Sequence, residues 1–222
     1  MPRDFFARPS VPVAPDLLGC VLEHQTEAGL VAVELTEVEA YAGDQDPASH
    51  AYRGKTARNA VMFGPPGHAY VYFTYGMHFC VNLVCLGNGS ASAVLLRAGR
   101  IIEGEELARA RRTGRPRGDG SPREGRVIPF RDLARGPARL CQALDIDRSL
   151  DGADVCVPES SLRMRWPEAS TTARSAQRNV ASGPRVGISR AAELPWRFWW
   201  EGEPTVSAYR PAVPRRPKLV TP

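Results

Sequence analysis

The sequence predicts one α+β domain, because strand-like and helix-like segments are mixed along a chain that has neither internal repeats nor a clear linker. The chain has 222 residues, of which 43% are hydrophobic and 24% charged. This length and composition are typical of a globular domain that buries its core without disulfide or metal support. We expect residues 1–222 to form a single domain with a Pro-rich tail over 210–222.

The strand-like segments lie mainly in the first half. Residues 20–24 and 29–36 have strand character, and acidic residues follow at 37–41. Residues 43–66 read as a long loop, which inside a compact domain is usually functional or disordered. The strongest strand signal spans 69–75, breaks at Gly76 and resumes over 78–86, so we expect a hairpin with Tyr75 and Gly76 near its tip. Residues 92–97 predict a further strand.

Two helices and a basic loop are predicted in the second half. Residues 101–112 carry glutamates early and arginines late, as the helix dipole favours. Residues 136–144 predict another helix, and 113–126 an Arg-rich loop. Residues 109–126 contain seven arginines and two acids, in a chain of net charge +5. This balance is compatible with a polyanionic partner and equally with a solvated surface.

Composition and motifs exclude several classes. The five cysteines form no CxxC pair, and four lie in apolar surroundings, which is typical of reduced thiols inside a cell. No signal peptide or membrane-spanning run is evident, so we expect a cytosolic protein, or a nuclear one in a host with a nucleus. Zinc-ligand spacing, HExxH, Walker A, GxGxxG and GxSxG are all missing from the sequence. We therefore expect no metal and no cofactor.

Two polar and aromatic patches could carry chemistry. Strand alternation puts Glu37, Glu39 and Tyr41 on one face of a strand. It does the same for Tyr70, Tyr72 and Thr74, which His78, Asn82 and Arg97 follow. The simpler interpretation has the carboxylates facing solvent and the tyrosines filling a core. The alternative is a pocket for a flipped base, which needs aromatic faces for stacking and a carboxylate that can activate water.

Several short motifs, in order, resemble the alkyladenine (3-methyladenine) DNA glycosylase family. They are TEVEAY at 36–41, ASH at 48–50, TARN at 56–59, MFG at 62–64, AYVY at 69–72, YGMH at 75–78 with Asn82, VLLRA at 94–98, GPARLCQAL at 136–144 and PRVGI at 184–188. Order and spacing agree from about Phe5 to Tyr209. The resemblance implies a curved antiparallel sheet with flanking helices and a protruding β-hairpin, similar to the C-terminal domain of formyltransferases.

The resemblance also implies an activity and a role for single residues. The activity is the flipping of alkylated or deaminated purines out of double-stranded DNA and hydrolysis of their N-glycosidic bond, by a monomer that needs no cofactor. Glu39 would be the general base, and Arg97 would hold the attacking water or a phosphate. The remaining roles fall to the base pocket and the hairpin. Tyr41, His50 and Tyr72 would line the pocket, Asn82 would exclude normal guanine at its floor, and Tyr75 would enter the minor groove.

Other interpretations remain open. A non-catalytic module that binds damaged DNA would keep Tyr75 but would not need Glu39. An RNA- or formyl-transfer protein is supported by fold analogy alone. A bifunctional mechanism would need an amine nucleophile. Lys55 is the only lysine near the motifs, and it lies in a loop, so we expect no lyase activity. Glu37 is expected to be paired with an arginine or hydrated, and the loop at 113–126 is hypothesised to strengthen phosphate contact.

Overall fold

The computed structural model describes residues 1–74, 76–87, 89–114, 127–167 and 178–212. Within them lie three α-helices, α1 (Ser10–Asp16), α2 (Glu105–Thr113) and α3 (Pro137–Leu144). The eight strands of this part are β1 (Val21–Thr26), β2 (Gly29–Tyr41), β3 (Ala69–Thr74), β4 (His78–Cys85), β5 (Ser92–Glu103), β6 (Leu162–Arg165), β7 (Val180–Gly183) and β8 (Arg197–Trp200). All eight belong to one sheet, which confirms the predicted α+β class.

The sheet is antiparallel at every strand pair and runs in the order β3-β4-β5-β2-β1-β6. The long strand β2 also pairs with β8 at Glu37–Glu39, and β8 pairs with β7. Register shifts interrupt the β2–β5 pairing on both sides of Glu37. Bulges of this kind bend a strand and increase its twist, and they account for the predicted curvature of the sheet.

Alternation along the strands separates a packing face from a polar face. Residues of β2 to β5 whose side chains enter the main core include Val38, Val71, Leu83 and Leu96, and Leu140 of α3 joins them. The residues between them point to the opposite face. The predicted site residues of β2, β3, β4 and β5 therefore come to lie together on that face.

A second, smaller cluster of buried residues supports that polar face. Its members are Ala51, Met62, Tyr70, Val84 and Ala93, and Tyr72 packs against it. Ala51 and Met62 belong to the predicted loop region, which the structure shows as irregular chain with short 3₁₀ turns at Gly43–Gln45 and Ala60–Phe63. This loop region is therefore ordered against the sheet and forms one side of the site.

The β3–β4 hairpin is confirmed, with Thr74 paired to His78 across the turn. Gly76 has a φ of +68° and is exposed, like Met77 next to it. Positive φ is the conformation for which a turn uses glycine. Tyr75 itself and residues 115–126 lie outside the described residues, so the predictions made for them stay predictions.

One predicted boundary is wrong. The helix expected from residue 101 begins only at Glu105, because β5 continues through Ile101 and Glu103 in register with Val33 and Ala32 of β2. Gly104, with a φ of +73°, separates the strand from the helix. Pairing with β2 overrides the local helical pattern here.

The cysteines agree with what the composition predicted. All five cysteines are free thiols, and Cys20, Cys80, Cys85 and Cys141 are buried, as their apolar surroundings predicted. None of the helices in the described ranges is long and apolar enough to cross a bilayer.

Candidate active site

A cavity of about 340 Å³ opens on the polar face of the sheet. Five of the predicted site residues line it: Tyr41, His50, Tyr72, Asn82 and Arg97. Its other walls come from the loop region, from the start of α3 at Pro137, and from residues 186–188 near the end of the chain. Strands, loop and C-terminal segment thus converge on one cavity.

Glu39 lies directly behind the cavity wall and is 0% exposed. The hydroxyl of Tyr41 donates to Oε2 at 2.9 Å, and the backbone N–H of Val186 donates to Oε1 at 2.7 Å. Nη1 of Arg97 lies 3.3 Å from the same Oε1. Because all three neighbours also line the cavity, a water that reaches Glu39 from the cavity has to approach between them.

Glu37 is equally buried but has structural partners. It accepts hydrogen bonds from Nε of Arg97 at 2.8 Å and from Nε of Arg197 at 2.7 Å. Ser207 donates to it from the backbone N–H at 2.6 Å and from Oγ at 2.9 Å. The expected pairing of Glu37 with arginine is therefore present. The simpler interpretation, in which Glu37 and Glu39 face solvent, is wrong, because both side chains are buried.

Arg97 lies between the two carboxylates. Besides Glu37 and Glu39 it contacts Oγ of Ser207 through Nη2, at 3.4 Å. Burial disfavours its charged form, but the negative charges of Glu39 and Glu37 outweigh this effect and raise the pKa of the guanidinium. Arg97 therefore stays a cation beside both carboxylates.

Three aromatic side chains form a stacked wall of the cavity. The rings of Tyr70 and Tyr72 are stacked with centroids 5.5 Å apart, and His50 meets Tyr72 edge-on at 4.6 Å. The Tyr70 hydroxyl and Nδ1 of His50 share a hydrogen bond of 3.1 Å. Strand alternation predicted Tyr70 on this face without a role for it, and the structure shows that it supports both predicted pocket rings.

Protonation states around the cavity follow from burial. Desolvation, and then the charge of Glu39, raise the pKa of Tyr41 well above its ordinary value. Desolvation also raises the pKa of Tyr72, with Cys80 the next cause. Partial desolvation of His50 and the nearby charge of Arg58 lower the pKa of the imidazole. At neutral pH both tyrosines are therefore hydrogen-bond donors and His50 is uncharged.

Asn82 is 5% exposed and lines the cavity beneath the aromatic wall. Its Nδ2 donates to the backbone carbonyl of Tyr70 at 3.2 Å. This contact uses one of the two N–H donors of the amide and fixes the orientation of the side chain at the cavity.

Three of the residues that hold the carboxylates were not singled out from the sequence. Val186 acts through its backbone N–H, and Arg197 and Ser207 hold Glu37 from the C-terminal region. The motif at 184–188 includes Val186, but a pattern of side chains cannot predict a hydrogen bond from a backbone N–H. Among the described residues no group of three or more histidines, cysteines or acidic residues could hold a metal ion.

Comparison with known proteins gives a consistent result. Residues 4–204 match the family described as methylpurine-DNA glycosylase (MPG). A protein of Streptomyces avermitilis is 55% identical over 218 residues, covering 96% of this chain and 93% of its own length. One of Leifsonia xyli subsp. xyli is 51% identical over 212 residues, covering 94% and 92%. One of Methanocella arvoryzae is 44% identical over 214 residues, covering 95% and 97%.

All three relatives carry the name "Putative 3-methyladenine DNA glycosylase". The family match spans the strands, the loop region and the segment at 184–188 that together build the cavity. The chain belongs to the methylpurine-DNA glycosylase family.

Proposed function

We propose that this protein hydrolyses the N-glycosidic bond of alkylated or deaminated purines in duplex DNA and leaves an abasic site, the first step of base excision repair. The observation that carries the proposal is the position of Glu39, held by Tyr41, Arg97 and Val186 directly behind an aromatic cavity. Family membership supports the same reaction.

The cavity suits a single flipped base. At about 340 Å³ it lies at the small end of the range for ligand pockets, and its walls combine ring faces with polar side chains that include His50, Asn82 and Arg97. A base inside a duplex is inaccessible to such a pocket and has to be extruded, at a cost of a few kcal/mol that is lowest for damaged or weakly paired bases. The cost of extrusion therefore favours bases that already pair poorly.

A cationic base adds attraction to the ring faces. Alkylation at N3 or N7 gives the purine a positive charge, and its contact with Tyr72 or Tyr41 gains about 0.5–2 kcal/mol over a neutral base. The same charge makes the purine a good leaving group. The reaction on such a base therefore needs little help from a general acid.

The water is the group that needs activation. In the proposed reaction, a water between Glu39 and the extruded sugar transfers a proton to the carboxylate as its oxygen bonds to C1′. The C1′–N bond breaks, and its electron pair goes to the purine, which neutralises an alkylated base. Arg97 and Tyr41 hold the carboxylate in position for this step.

The test is incubation of methylated duplex DNA with the protein, followed by alkaline cleavage. Strand breaks at purines are expected, because alkali cleaves DNA at abasic sites. Intact strands would favour the alternative, a module that binds damaged DNA without acting on it. In parallel, borohydride should trap no covalent protein–DNA adduct, since the proposed nucleophile is water.

The partner of this reaction is damaged duplex DNA, and we expect the protein to act on it as a monomer in the cytoplasm, at the nucleoid, or in a nucleus. Light scattering of the protein with and without a short lesion-containing duplex tests the monomer. A 1:1 complex is expected, and a complex with two protein copies per lesion would contradict it.

A further inference from the structure

Arg185 is a fully buried, charged side chain next to the candidate active site. It is 1% exposed, and it is one of the largest side chains among the described residues that are buried this deeply. It does not line the cavity. Both terminal nitrogens of its guanidinium donate to Asp46, which is 0% exposed, with Nη2 at 2.9 Å from Oδ1.

An ion pair buried this completely is weak evidence for stability. The cost of removing both charges from water is large, and apolar residues of similar volume often stabilise as well or better. What the Arg185–Asp46 pair does provide is a fixed geometry, because an arginine fork against a carboxylate has a defined orientation.

The guanidinium also connects several chain segments behind the cavity wall. Nη1 donates to the backbone carbonyl of Ala40 at 2.9 Å, which adjoins Glu39 in β2. The charge lies 4.7 Å from the centre of the Tyr41 ring and 5.2 Å from that of Trp196. Arg185 therefore holds Tyr41 on the side away from the cavity.

Arg185 contacts or adjoins the groups that donate hydrogen bonds to the two carboxylate oxygens of Glu39. The Tyr41 hydroxyl donates to Oε2, and the ring that carries it packs against Arg185. Val186, whose N–H donates to Oε1, is the next residue along the chain after Arg185. Both hydrogen-bond donors of Glu39 are thus attached to groups that one buried cation fixes in place.

The partner carboxylate extends this arrangement into the loop region. Asp46 accepts from the backbone N–H of Ala48 at 3.0 Å and from that of Ala42 at 3.4 Å. Ala48 lines the cavity and lies two residues before His50. The same ion pair therefore also anchors the wall of the cavity that carries His50.

We propose that Arg185, acting with Asp46, is a positioning residue of the glycosylase reaction that fixes Tyr41 and Val186 against Glu39. The inference rests on the proposed function. A shift of about 1 Å in a reacting geometry can lower a rate about a hundredfold without removing any catalytic group. Loss of the pair is therefore expected to reduce the chemical step much more than DNA binding.

The test removes both charges together, because a single substitution would leave the other charge buried and unpaired. Asp46→Asn/Arg185→Gln is compared with wild type in single-turnover excision from a duplex that contains one 3-methyladenine. We expect the maximal rate constant to fall by about tenfold to a hundredfold. The protein concentration that gives half the maximal rate should change less than about threefold, a split typical of an interaction needed for the chemical step.

Glu34 and Arg100 supply the matched control. They also form an ion pair across β2 and β5 with a carboxylate that is 1% exposed, and neither lines the cavity. Glu34→Gln/Arg100→Gln is expected to keep the wild-type rate, and its melting temperature should fall no further than that of the Asp46/Arg185 variant, because the Arg100 side chain is 29% exposed. An unchanged rate in the folded Asp46/Arg185 variant, or an equal loss in the control, would overturn the inference. An inactive wild type would instead count against the proposed function.

Discussion

At the scale of single residues, the site depends on buried carboxylates that form ion pairs with buried arginines. Glu37 and Glu39 are two positions apart on one strand, and Arg97 contacts both. Like charges this close would repel, but Arg97 and Arg197 balance them within the sheet. The two carboxylates therefore divide their tasks. Glu37 holds the arginines, and Glu39 is left to face the cavity wall.

Glu37→Gln is expected to destabilise the fold. The amide removes the counter-charge of two buried guanidinium groups, and breaking a buried pair on one side costs about 3–5 kcal/mol. Denaturant unfolding measures the loss. Glu105→Gln is the control, because Glu105 pairs with Arg109 at the surface of α2 and should cost no more than about 0.5 kcal/mol. Equal losses for the two variants would contradict a structural role for Glu37.

Tyr72→Ala is expected to weaken excision of 3-methyladenine more than excision of hypoxanthine. The ring gives a cationic base about 0.5–2 kcal/mol of extra attraction, which corresponds to about a twofold to thirtyfold difference in rate. Single-turnover kinetics on two otherwise identical duplexes measure it. Tyr72→Phe, which keeps the ring face, is the control and should retain the preference. Equal losses on both bases would exclude cation–π selection at this ring.

The free energy of unfolding of the protein is expected to decrease at acidic pH because of His50. Its pKa is lowered from the ordinary 6.5, so the unfolded chain binds the proton more readily than the folded one. The free energy of unfolding should therefore decrease as the pH falls through and below 6.5, and His50→Gln should lessen this decrease. Unfolding curves between about pH 5 and pH 8 check it. A steeper decrease in the variant would contradict a lowered pKa for His50.

Side-chain identity predicted part of this site and could not predict the rest. Tyr41, Tyr72, Asn82 and Arg97 line one cavity. Strand alternation indicated the face for the two tyrosines, and the family motifs indicated Asn82 and Arg97. The donor from Val186 is a backbone group, which any residue could supply. The Ser207 contacts to Glu37 close over a long stretch of chain, so no local pattern signals them.

At the scale of elements, β2 determines the geometry of the site. It is the longest strand of the described residues, and it pairs with β5 along one edge and with β1 and then β8 along the other. The bulges around Glu37 bend it where the carboxylates lie. The sequence predicted strand character here but not the bulges, since these depend on pairing with β5.

Gly99→Ala is expected to disrupt the β2–β5 pairing. A Cβ at this position would lie 2.4 Å from the backbone oxygen of Glu34 and 2.3 Å from Cγ1 of Val33. Overpacking of this kind typically costs about 1–3 kcal/mol, and a backbone neighbour cannot move aside easily. Gly87→Ala, where nothing lies within 4 Å, should be nearly neutral. Thermal unfolding compares the two, and similar melting temperatures would contradict the close strand approach.

The boundary between β5 and α2 shows the limit of local patterns. Glutamates followed by arginines favour a helix from residue 101, and the helix does carry them, but from Glu105 onward. Residues 101–103 remain in the sheet because Val33 and Ala32 pair with them. Only the three-dimensional partner decides the conformation of such a segment.

At the scale of the whole molecule, net charge and binding partner are linked. The chain carries a net charge of +5, and arginine supplies nearly all of its basic side chains. Contacts between arginine and phosphate release counterions from DNA, so binding should weaken steeply as salt increases. The arginines of 115–126 lie outside the described residues, and their contribution is a hypothesis from the sequence.

Arg115→Ala/Arg117→Ala is expected to flatten the salt dependence of DNA binding. If each arginine contacts one phosphate, the slope of log K against log salt should decrease in magnitude by up to about 2. Titration of undamaged duplex DNA at several salt concentrations measures the slope. The wild-type slope in this variant would show that these arginines do not contact phosphate.

The proposed reaction depends above all on Glu39 as the base that activates water, and Glu39→Gln removes that base while keeping the size of the side chain. Single-turnover release of 3-methyladenine and binding to the same duplex are measured side by side. We expect binding within about threefold of wild type and a rate reduced by about a hundredfold to ten-thousandfold, the range for loss of a general base. Release at the wild-type rate by a folded Glu39→Gln protein would contradict the mechanism.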